Sequence, residues 1–359
     1  MKATARLVDG IHRMWQTKGL ASTLLLPLSW LAHLAVLYKQ KRYRKQASYW
    51  PAGPRPIVVV GNILVGGTGK TPVVIALTQA LRAKGWHPGI VSRGYGVKLE
   101  ARAKVGQGRL DAAGFGDEPA LIARSTGAPL AVHPSRVLAV QALVRAHPEV
   151  DVIISDDGLQ HLALQRDVEI VVQDARGLGN GRMLPAGPLR EPAAKLAQVD
   201  YLITNVAASQ PAPPPLPVGA LQLCMRLQPE RVEHLASDLS ATWPEWLARH
   251  AAGTIAAVAA IGQPDRFFSM LRGHGLRLDA AIALPDHDPY SSSPFTALNA
   301  DVILITAKDA VKCARFNDPR IWVVNVAPQF SDIGWLDGLN EKLHAITEKK
   351  KAGGIKLLV

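Results

Sequence analysis

The densest chemical signal in the chain is Gly66-Gly67-Thr68-Gly69-Lys70-Thr71. Glycines let backbone N–H groups turn inward around phosphate oxygens. A lysine can then reach the β- and γ-phosphates of a nucleotide, and a threonine hydroxyl can hold Mg²⁺. The segment follows a β-branched run, Ile57 to Val60, and leads into a helical stretch from Thr71 to Lys84. Strand, glycine loop, Lys-Thr and helix make the context a phosphate-binding loop requires, because the helix N-terminus adds a positive dipole end. The loop is expected to run from Leu64 and Val65 to Thr71. The strict pattern places a glycine where Leu64 stands, and Gly66 and Gly67 supply the freedom instead. The competing reading is a glycine-rich turn that binds nothing.

A second cluster, Asp156-Asp157-Gly158, ends the apolar run Val152–Ser155. Carboxyl ends of parallel strands share one edge, where ligands bind, so these acids are expected beside the loop. Either can hold Mg²⁺, or both can form a turn. Gln160 and His161 follow. Asp117-Glu118-Pro119 stands before a helix, where acids and proline suit the first turn. That explanation is structurally complete, yet a phosphotransferase also needs a carboxylate to take a hydroxyl proton. Arg93 and Tyr95, in Ser92-Arg-Gly-Tyr-Gly96, leave another strand end, and Arg93 could meet phosphate. Leu189-Arg190-Glu191-Pro192 reads as a loop near the same edge. Asp286-His287-Asp288 follows a strand of the second half, where a lone histidine is usually a surface residue. Thr306-Ala-Lys308-Asp-Ala-Val-Lys312 could cap a helix or bind phosphate.

The elements that must position these residues alternate. Strands are expected at Ile57–Val60, Gly89–Ser92, Leu130–Val132, Val152–Ser155, Glu169–Val172 and Tyr201–Thr204, with helices at Thr71–Lys84, Pro119–Ser125 and Pro134–Ala146. This alternation predicts a mostly parallel sheet covered on both faces. The proline-rich stretch Gln210–Pro217 forbids helix and inner strand, and reads as a linker or surface crossing. A second set follows: strands Thr254–Ile261, Ala280–Ala283, Val302–Thr306 and Ile321–Val326, a loop and helix over Gln263–His274, and a last helix over Trp335–Thr347. The tail from Glu348 is expected to fray.

Length and composition bound the answer. A chain of 359 residues exceeds one typical core, so two domains are expected. The net charge of +12 calls for an anionic partner: nucleic acid, an anionic membrane or a phosphorylated substrate. Two distant cysteines, Cys224 and Cys313, exclude a disulfide framework or zinc spacing. Gly19 to Tyr38 carries no formal charge and is rich in leucine, but Ser22, Thr23, Pro27, Ser29 and His33 dilute it. Lys39, Lys41, Arg42, Arg44 and Lys45 follow at once. Three readings stand: a helix that spans a bilayer, one that lies in the cytoplasmic membrane surface, and one buried in the protein. The basic run favours lipid over nucleic acid as the anionic partner.

Taken together, Val65-Gly-Gly-Thr-Gly-Lys-Thr-Pro72, Ser92-Arg-Gly-Tyr-Gly96, Gly116-Asp-Glu-Pro119, Asp156-Asp-Gly-Leu-Gln-His161, Gly179-Asn-Gly181, Leu184–Pro192, Asp286-His287 and Lys308–Lys312 resemble the tetraacyldisaccharide 4'-kinase family of the lipid A pathway. The resemblance implies an α/β fold of P-loop kinase type: a mostly parallel sheet flanked by helices, a second smaller α/β domain and an N-terminal membrane-associated helix. The domains would be 1–50 for membrane association, 51–208 for nucleotide binding and catalysis, a linker at 209–219, and 220–359 closing the cleft. It implies ATP and Mg²⁺, a lipid acceptor, tetraacyldisaccharide 1-phosphate, and no nucleic acid. It also implies a peripheral or monotopic place on the cytoplasmic face of the bacterial inner membrane. Asp117 matches the catalytic base and His287 its partner, with Lys70 on the phosphates. Thr71, Asp156, Asp157 and Glu191 match the metal and nucleotide site. Arg93, Tyr95, Glu118, Gln160 and His161 are expected to line it. The chain departs from the family at Ala307, where a glutamate is frequent, and at Asp288, where a second histidine is frequent. The rival is a membrane-associated P-loop ATPase of the partitioning or targeting type. Those proteins commonly carry a lysine where Val65 stands.

Overall fold

The structure, a computed structural model, describes residues 10–11, 13–44, 52–95, 97, 102–207 and 210–353. Lys45 and Gly96, singled out above, lie outside the described residues, as do both chain ends. The labelled elements begin with α1 (Leu20–Leu24) and α2 (Leu26–Arg44). Next come β1 (Ile57–Gly61), α3 (Lys70–Ala83), β2 (Pro88–Ser92), β3 (Lys104–Gly106), α4 (Ala112–Phe115), α5 (Asp117–Thr126) and β4 (Leu130–Val132). The first half closes with α6 (Arg136–Ala146), β5 (Val152–Asp156), β6 (Val168–Asp174) and β7 (Tyr201–Asn205). The second half has β8 (Leu221–His234), β9 (Ser240–Thr242), α7 (Trp243–His250), β10 (Ile255–Ala259), α8 (Pro264–Gly273) and β11 (Ala280–Ala283). It ends with β12 (Val302–Thr306), α9 (Ala307–Cys313), β13 (Ile321–Phe330) and α10 (Trp335–Ala352).

All strands join one sheet in the order β11-β10-β12-β13-β8-β7-β6-β1-β5-β2-β4-β3, with β9 on β8. Pairing is parallel except β3 with β4, β8 with β13 and β8 with β9. The expected mostly parallel α/β fold is what forms. β1 shows why its sequence is apolar throughout. Val58 and Val60 face a core with Val73, Leu77 and Ile122, while Ile57 and Val59 face another with Ala139, Val140 and Leu143. A strand with helices over both faces buries both of its alternating rows. β1 lies between β5 and β6, and the chain leaves it for β2 on the far side of β5. Its carboxyl end is therefore a switch point, where loops to left and right part and leave a crevice.

One expectation narrows, one strand is new and one expectation changes. The proline-rich stretch crosses from β7 to β8, and these two strands pair directly, Tyr201 with Leu221 through Asn205 with Met225. It returns the chain to the same sheet. β8 is a strand outside the expected set, and Pro229 stands within it. Pro229 sits where the pairing with β13 slips at Asn325/Val326, a bulge that needs no N–H from it. The tail from Glu348 does not fray: α10 continues to Ala352. Trp335, Leu339 and Leu343 enter the core beside α3, and Trp86 Nε1 donates to Asn340 at 2.8 Å. Lys350 is buried, donating to Asp167 at 2.7 Å and to the Arg55 carbonyl at 3.1 Å. The same Asp167 oxygen accepts from the N–H of Ile57 at 2.7 Å, so the last turn of the chain is tied to the first residue of β1.

The N-terminal helices pack with their polar residues inward. Ser22 and Ser29 are buried, while Leu20, Leu24, Trp30, Leu31 and Leu34 stand exposed, Trp30 at 73% and Leu20 at 86%. Ser29 donates to the Met183 carbonyl at 2.8 Å and accepts from the N–H of Ala186 at 3.0 Å. Asn180 Nδ2 donates to Ser22 and to the Thr17 carbonyl at 3.2 Å each. The serines that dilute the apolar run are the contact with the protein. Among the described residues no helix is long and apolar enough to cross a membrane. The spanning reading is set aside on that ground, and the buried reading by the exposed leucines.

Replacing Lys350 with Met would strand a buried carboxylate at the root of β1. Breaking one partner of a buried pair typically costs roughly 3–5 kcal/mol. We expect a clear drop in chemical-denaturation midpoint. An unchanged midpoint would show that α10 is held by its apolar face alone.

Candidate active site

The phosphate loop leaves β1 and enters α3. Gly66 has φ +97° and Gly69 has φ +91°, conformations that side chains with a Cβ rarely adopt. At Gly69 a Cβ would also lie 2.4 Å from Asn205 Nδ2. Asn205, at the end of β7, donates to the Thr68 carbonyl at 3.1 Å, and Asn62 donates to the Gly66 carbonyl at 3.2 Å. The absence of the first glycine has a physical account. Leu64 is fully buried, bridges antiparallel to Leu189 and packs with Ile63, Leu159 and Val171. Val65 N–H donates to the Pro188 carbonyl at 2.9 Å. The loop therefore turns only after Val65. Thr68 is fully buried, and its hydroxyl has no hydrogen-bond partner among the described residues.

Lys70 opens α3 and reaches Asp157 Oδ1 at 3.5 Å, and Arg190 meets the same oxygen at 3.5 Å. Asp157 takes φ +46°, turning its carboxylate back over the loop. Burial opposes its charge, but Lys70 and Arg190 outweigh burial and hold its carboxyl below the usual range. Asp156 is different. Burial, then the charges of Glu118 and Asp157, push its carboxyl up to about 6, against the pull of Lys70. Ser92 donates to Asp156 Oδ2 at 2.9 Å, while Oδ1 is buried with no hydrogen-bond partner among the described residues.

Opposite these groups, α5 begins with Asp117 and Glu118 after Gly116. Asp117 Oδ2 lies 3.3 Å from His287 Nδ1 and 2.8 Å from Lys312 Nζ. Glu118 pairs with Lys308 at 3.0 Å, and Lys308 lies 3.4 Å from His287 Nε2. Burial would lower the Lys308 pKa, but Glu118 and Asp286 hold it above its ordinary value. Both lysines stand on α9, whose N-cap Thr306 accepts from the N–H of Asp309 at 3.2 Å, so the motif does cap its helix. His287 has φ +60° and Tyr290 φ +52°. Asp288 stabilises this turn by accepting from the Tyr290 N–H at 2.7 Å. The departure at Asp288 is thus part of the turn that presents His287. Ala307, the other departure, lines the cleft.

One cleft of about 1230 Å³ collects Gly66, Gly67, Gly69, Lys70 and Thr71 with Arg93, Tyr95, Asp117, Glu118, Asp156, Asp157 and His287. The remaining expected residues lie outside its lining. Leu64 and Thr68 form the buried base of the loop, with the half-buried Val65 bonded to the Pro188 carbonyl. Gln160 Nε2 donates to the Asn62 carbonyl at 3.0 Å, and its own carbonyl accepts from Lys39. His161 is kept neutral: burial, Arg136 and Lys39 push its pKa down to about 4. Glu191 is buried under α2, with Gln40 Nε2 at 3.5 Å, and burial raises its carboxyl pKa. Arg190, Asn205 and Arg266 are among the cleft residues that carried no role in the sequence reading. Arg266 comes from α8, donates to the Asn205 carbonyl at 2.9 Å and faces Asp174 at 3.8 Å.

A mostly parallel sheet with a Gly-Lys-Thr loop at its switch point, faced by paired acids and a histidine across a cleft, defines a P-loop phosphotransferase. The sequence pattern of the family described as Tetraacyldisaccharide-1-P 4'-kinase matches residues 21–344, and the chain belongs to that family. It is 55% identical over 335 residues to the tetraacyldisaccharide 4'-kinase of Bordetella parapertussis, covering 93% of this chain and 96% of that one. It is 44% identical to that of Herminiimonas arsenicoxydans, covering 94% and 96%. Among solved structures it is similar to LpxK from Aquifex aeolicus, crystallised in complex with ATP, with a TM-score of 0.75 and 25% identity over 91% of this chain and 100% of that one. These findings support a kinase over the partitioning or targeting ATPase.

Changing Lys70 to Ala should abolish phosphoryl transfer and leave the melting temperature near that of the parent. Its side chain faces the cleft and fills no core. Near-normal turnover would remove Lys70 from the reaction.

Proposed function

We propose that the chain transfers the γ-phosphate of ATP to the 4'-hydroxyl of tetraacyldisaccharide 1-phosphate, at the cytoplasmic face of a bacterial inner membrane. The observation that carries the chemistry is the meeting of Asp117 and His287 at 3.3 Å, from opposite halves of the sheet, in the cleft that holds the phosphate loop. Residues 51–208 and 220–359 act as the two walls. Lys70 and the loop amides bind the phosphates. Asp117 takes the proton of the acceptor hydroxyl, and His287 orients its carboxylate. Arg190 and Lys70 gather charge where the transferring group passes.

Asp156 Oδ1 is a buried oxygen without a hydrogen-bond partner among the described residues, and the Asp157 carboxylate, held by Lys70 and Arg190, stands next to it at the strand end, in the same cleft as Thr71. That donor set fits Mg²⁺, which is usually held by one or two carboxylates with waters and substrate phosphates. Among the described residues no group of three or more ligating side chains forms. Thr71, Asp156 and Asp157 would hold the ion, and Glu191, buried under α2 outside the cleft, is assigned no part in it. When bound, Mg²⁺ neutralises charge on the phosphates.

The exposed leucines of α1 and α2, with Trp30 and Tyr38, lie in the membrane surface, and the exposed Lys41 and Arg42 face anionic headgroups. Replacing Trp30 and Leu34 together by Ser should leave the melting temperature unchanged, since both side chains stand outside the core. Burial of such a side chain is worth roughly 1.5–3 kcal/mol, so binding to vesicles with anionic lipid should fall by well over tenfold. Undiminished co-sedimentation would move the membrane contact elsewhere.

The dyad is tested with three variants. Asp117→Asn should lower kcat by about 10²–10⁴-fold, and His287→Ala by less. The double variant should be barely worse than Asp117→Asn, because residues acting as a unit are not additive. If Asp117 is only a helix-terminal acid, its loss would lower stability and leave kcat largely alone. Losses that multiply in the double variant would sink the paired mechanism.

A further inference from the structure

The dyad does not stand alone. Lys308 and Lys312 are one helical turn apart on α9, so both ammonium groups leave the same face. That face meets the start of α5. Lys312 is bonded to Asp117 Oδ2 at 2.8 Å and donates to the Asp288 carbonyl at 2.9 Å, tying the acid to the turn that carries His287. Lys308 bonds Glu118 at 3.0 Å and approaches His287 Nε2 at 3.4 Å. Lys312 side chain is 11% exposed and does not line the cleft, so it meets Asp117 from behind the reacting surface.

We propose that Lys312 and Lys308 are positioning residues for phosphoryl transfer: Lys312 orients the Asp117 carboxylate through Oδ2, and Lys308 fixes the tautomer of His287. The proposal rests on the assignment of Asp117 as base. A lysine ammonium only donates hydrogen bonds. His287 Nε2 must therefore accept from Lys308, which leaves the imidazole proton on Nδ1, pointed at Asp117. Asp286, at 3.9 Å from Nε2, is beyond hydrogen-bond range and does not reverse this. With His287 and Lys312 both on Oδ2, Asp117 Oδ1 makes no hydrogen bond within the described residues. That oxygen is the one left for the acceptor hydroxyl.

Among the described residues, the charged and titratable groups around Asp117 come from four elements: Glu118 on α5, Lys308 and Lys312 on α9, Asp286, His287 and Asp288 on the loop after β11, and Arg93 and Tyr95 after β2. Lys312, at 2.8 Å, is the cation bonded to the Asp117 carboxylate.

The test uses the full chain in detergent micelles with ATP and tetraacyldisaccharide 1-phosphate. Lys312→Met should lower kcat at least tenfold and leave KM for ATP unchanged. Lys312→Arg, which keeps a donor to Oδ2, should restore part of kcat. Lys308→Met should alter the ¹⁵N shifts of His287, moving the ring proton from Nδ1 toward a mixture of tautomers. Asp117→Asn is run alongside. If it retains kcat, the base assignment fails. If it loses kcat while Lys312→Met stays within twofold of the parent, the positioning role fails instead. If Lys312→Met does not fold, the His287 spectrum of Lys308→Met decides: an unchanged Nδ1–H signature overturns the proposal.

Discussion

Two adjacent carboxylates at the start of one helix repel each other and gain from the helix dipole alone too little to be held in a cleft. Asp117 and Glu118 are held because the other half of the molecule brings cations to them: Lys312 to one and Lys308 to the other, with His287 between. This charge match spans the cleft and sets its width at the reacting edge. It also explains the strained turn beyond β11. His287 and Tyr290 adopt positive φ so that the imidazole can enter between an acid and an ammonium. Residues in sparsely populated backbone regions persist when their surroundings over-determine them. Here a carboxylate, two lysines and the Asp288 cap do so.

The sheet makes such a meeting possible. β8 and β13 form one long antiparallel ribbon, from Trp322 opposite His234 to Phe330 opposite Met225. One end of β8 pairs with β7 and belongs to the half that holds the phosphate loop. One end of β13 pairs with β12 and belongs to the half that holds α9. The two walls of the cleft are thus attached to the same pair of strands. α10 then returns from the second half to pack under the first, and its last turn is tied to β1 through Lys350 and Asp167.

How much of this was readable before the coordinates depends on whether the signal is local. The parallel strands were legible because burial on both faces writes a continuous apolar run. The phosphate loop was legible because its glycines, lysine and threonine are contiguous. β8 was hidden by Pro229, which stands beside a bulge at Glu230 that shows only once β8 is paired with β13, about 100 positions away. The end of α10 was hidden because Lys350, in a run of lysines, reads as solvated until Asp167 is seen beside it. Asp117 and His287 were paired only through family resemblance, since nothing in either local sequence names the other. Asn205 and Arg266 had no spacing to betray them. Glu191, Gln160 and His161 sit near the loop in sequence pattern, yet their side chains turn toward α2 or the neighbouring backbone.

The N-terminal helices are fastened by directional bonds. Ser22, Ser29, Asn180 and the loop carbonyls hold them with hydrogen bonds, while leucine and tryptophan are left out of the fold. An ordinary amphipathic helix spends its apolar face on its own protein and must give it up to meet anything else. This one has no such conflict. Its outer face is fully available while its inner face remains bound, so the protein can meet an apolar surface without loosening any part of its core. The phosphate loop's neighbour, the 179–191 segment, is on the inner side of that same helix. A load on the outer face is therefore carried, through serine and asparagine contacts, to the backbone that places Arg190 against Asp157.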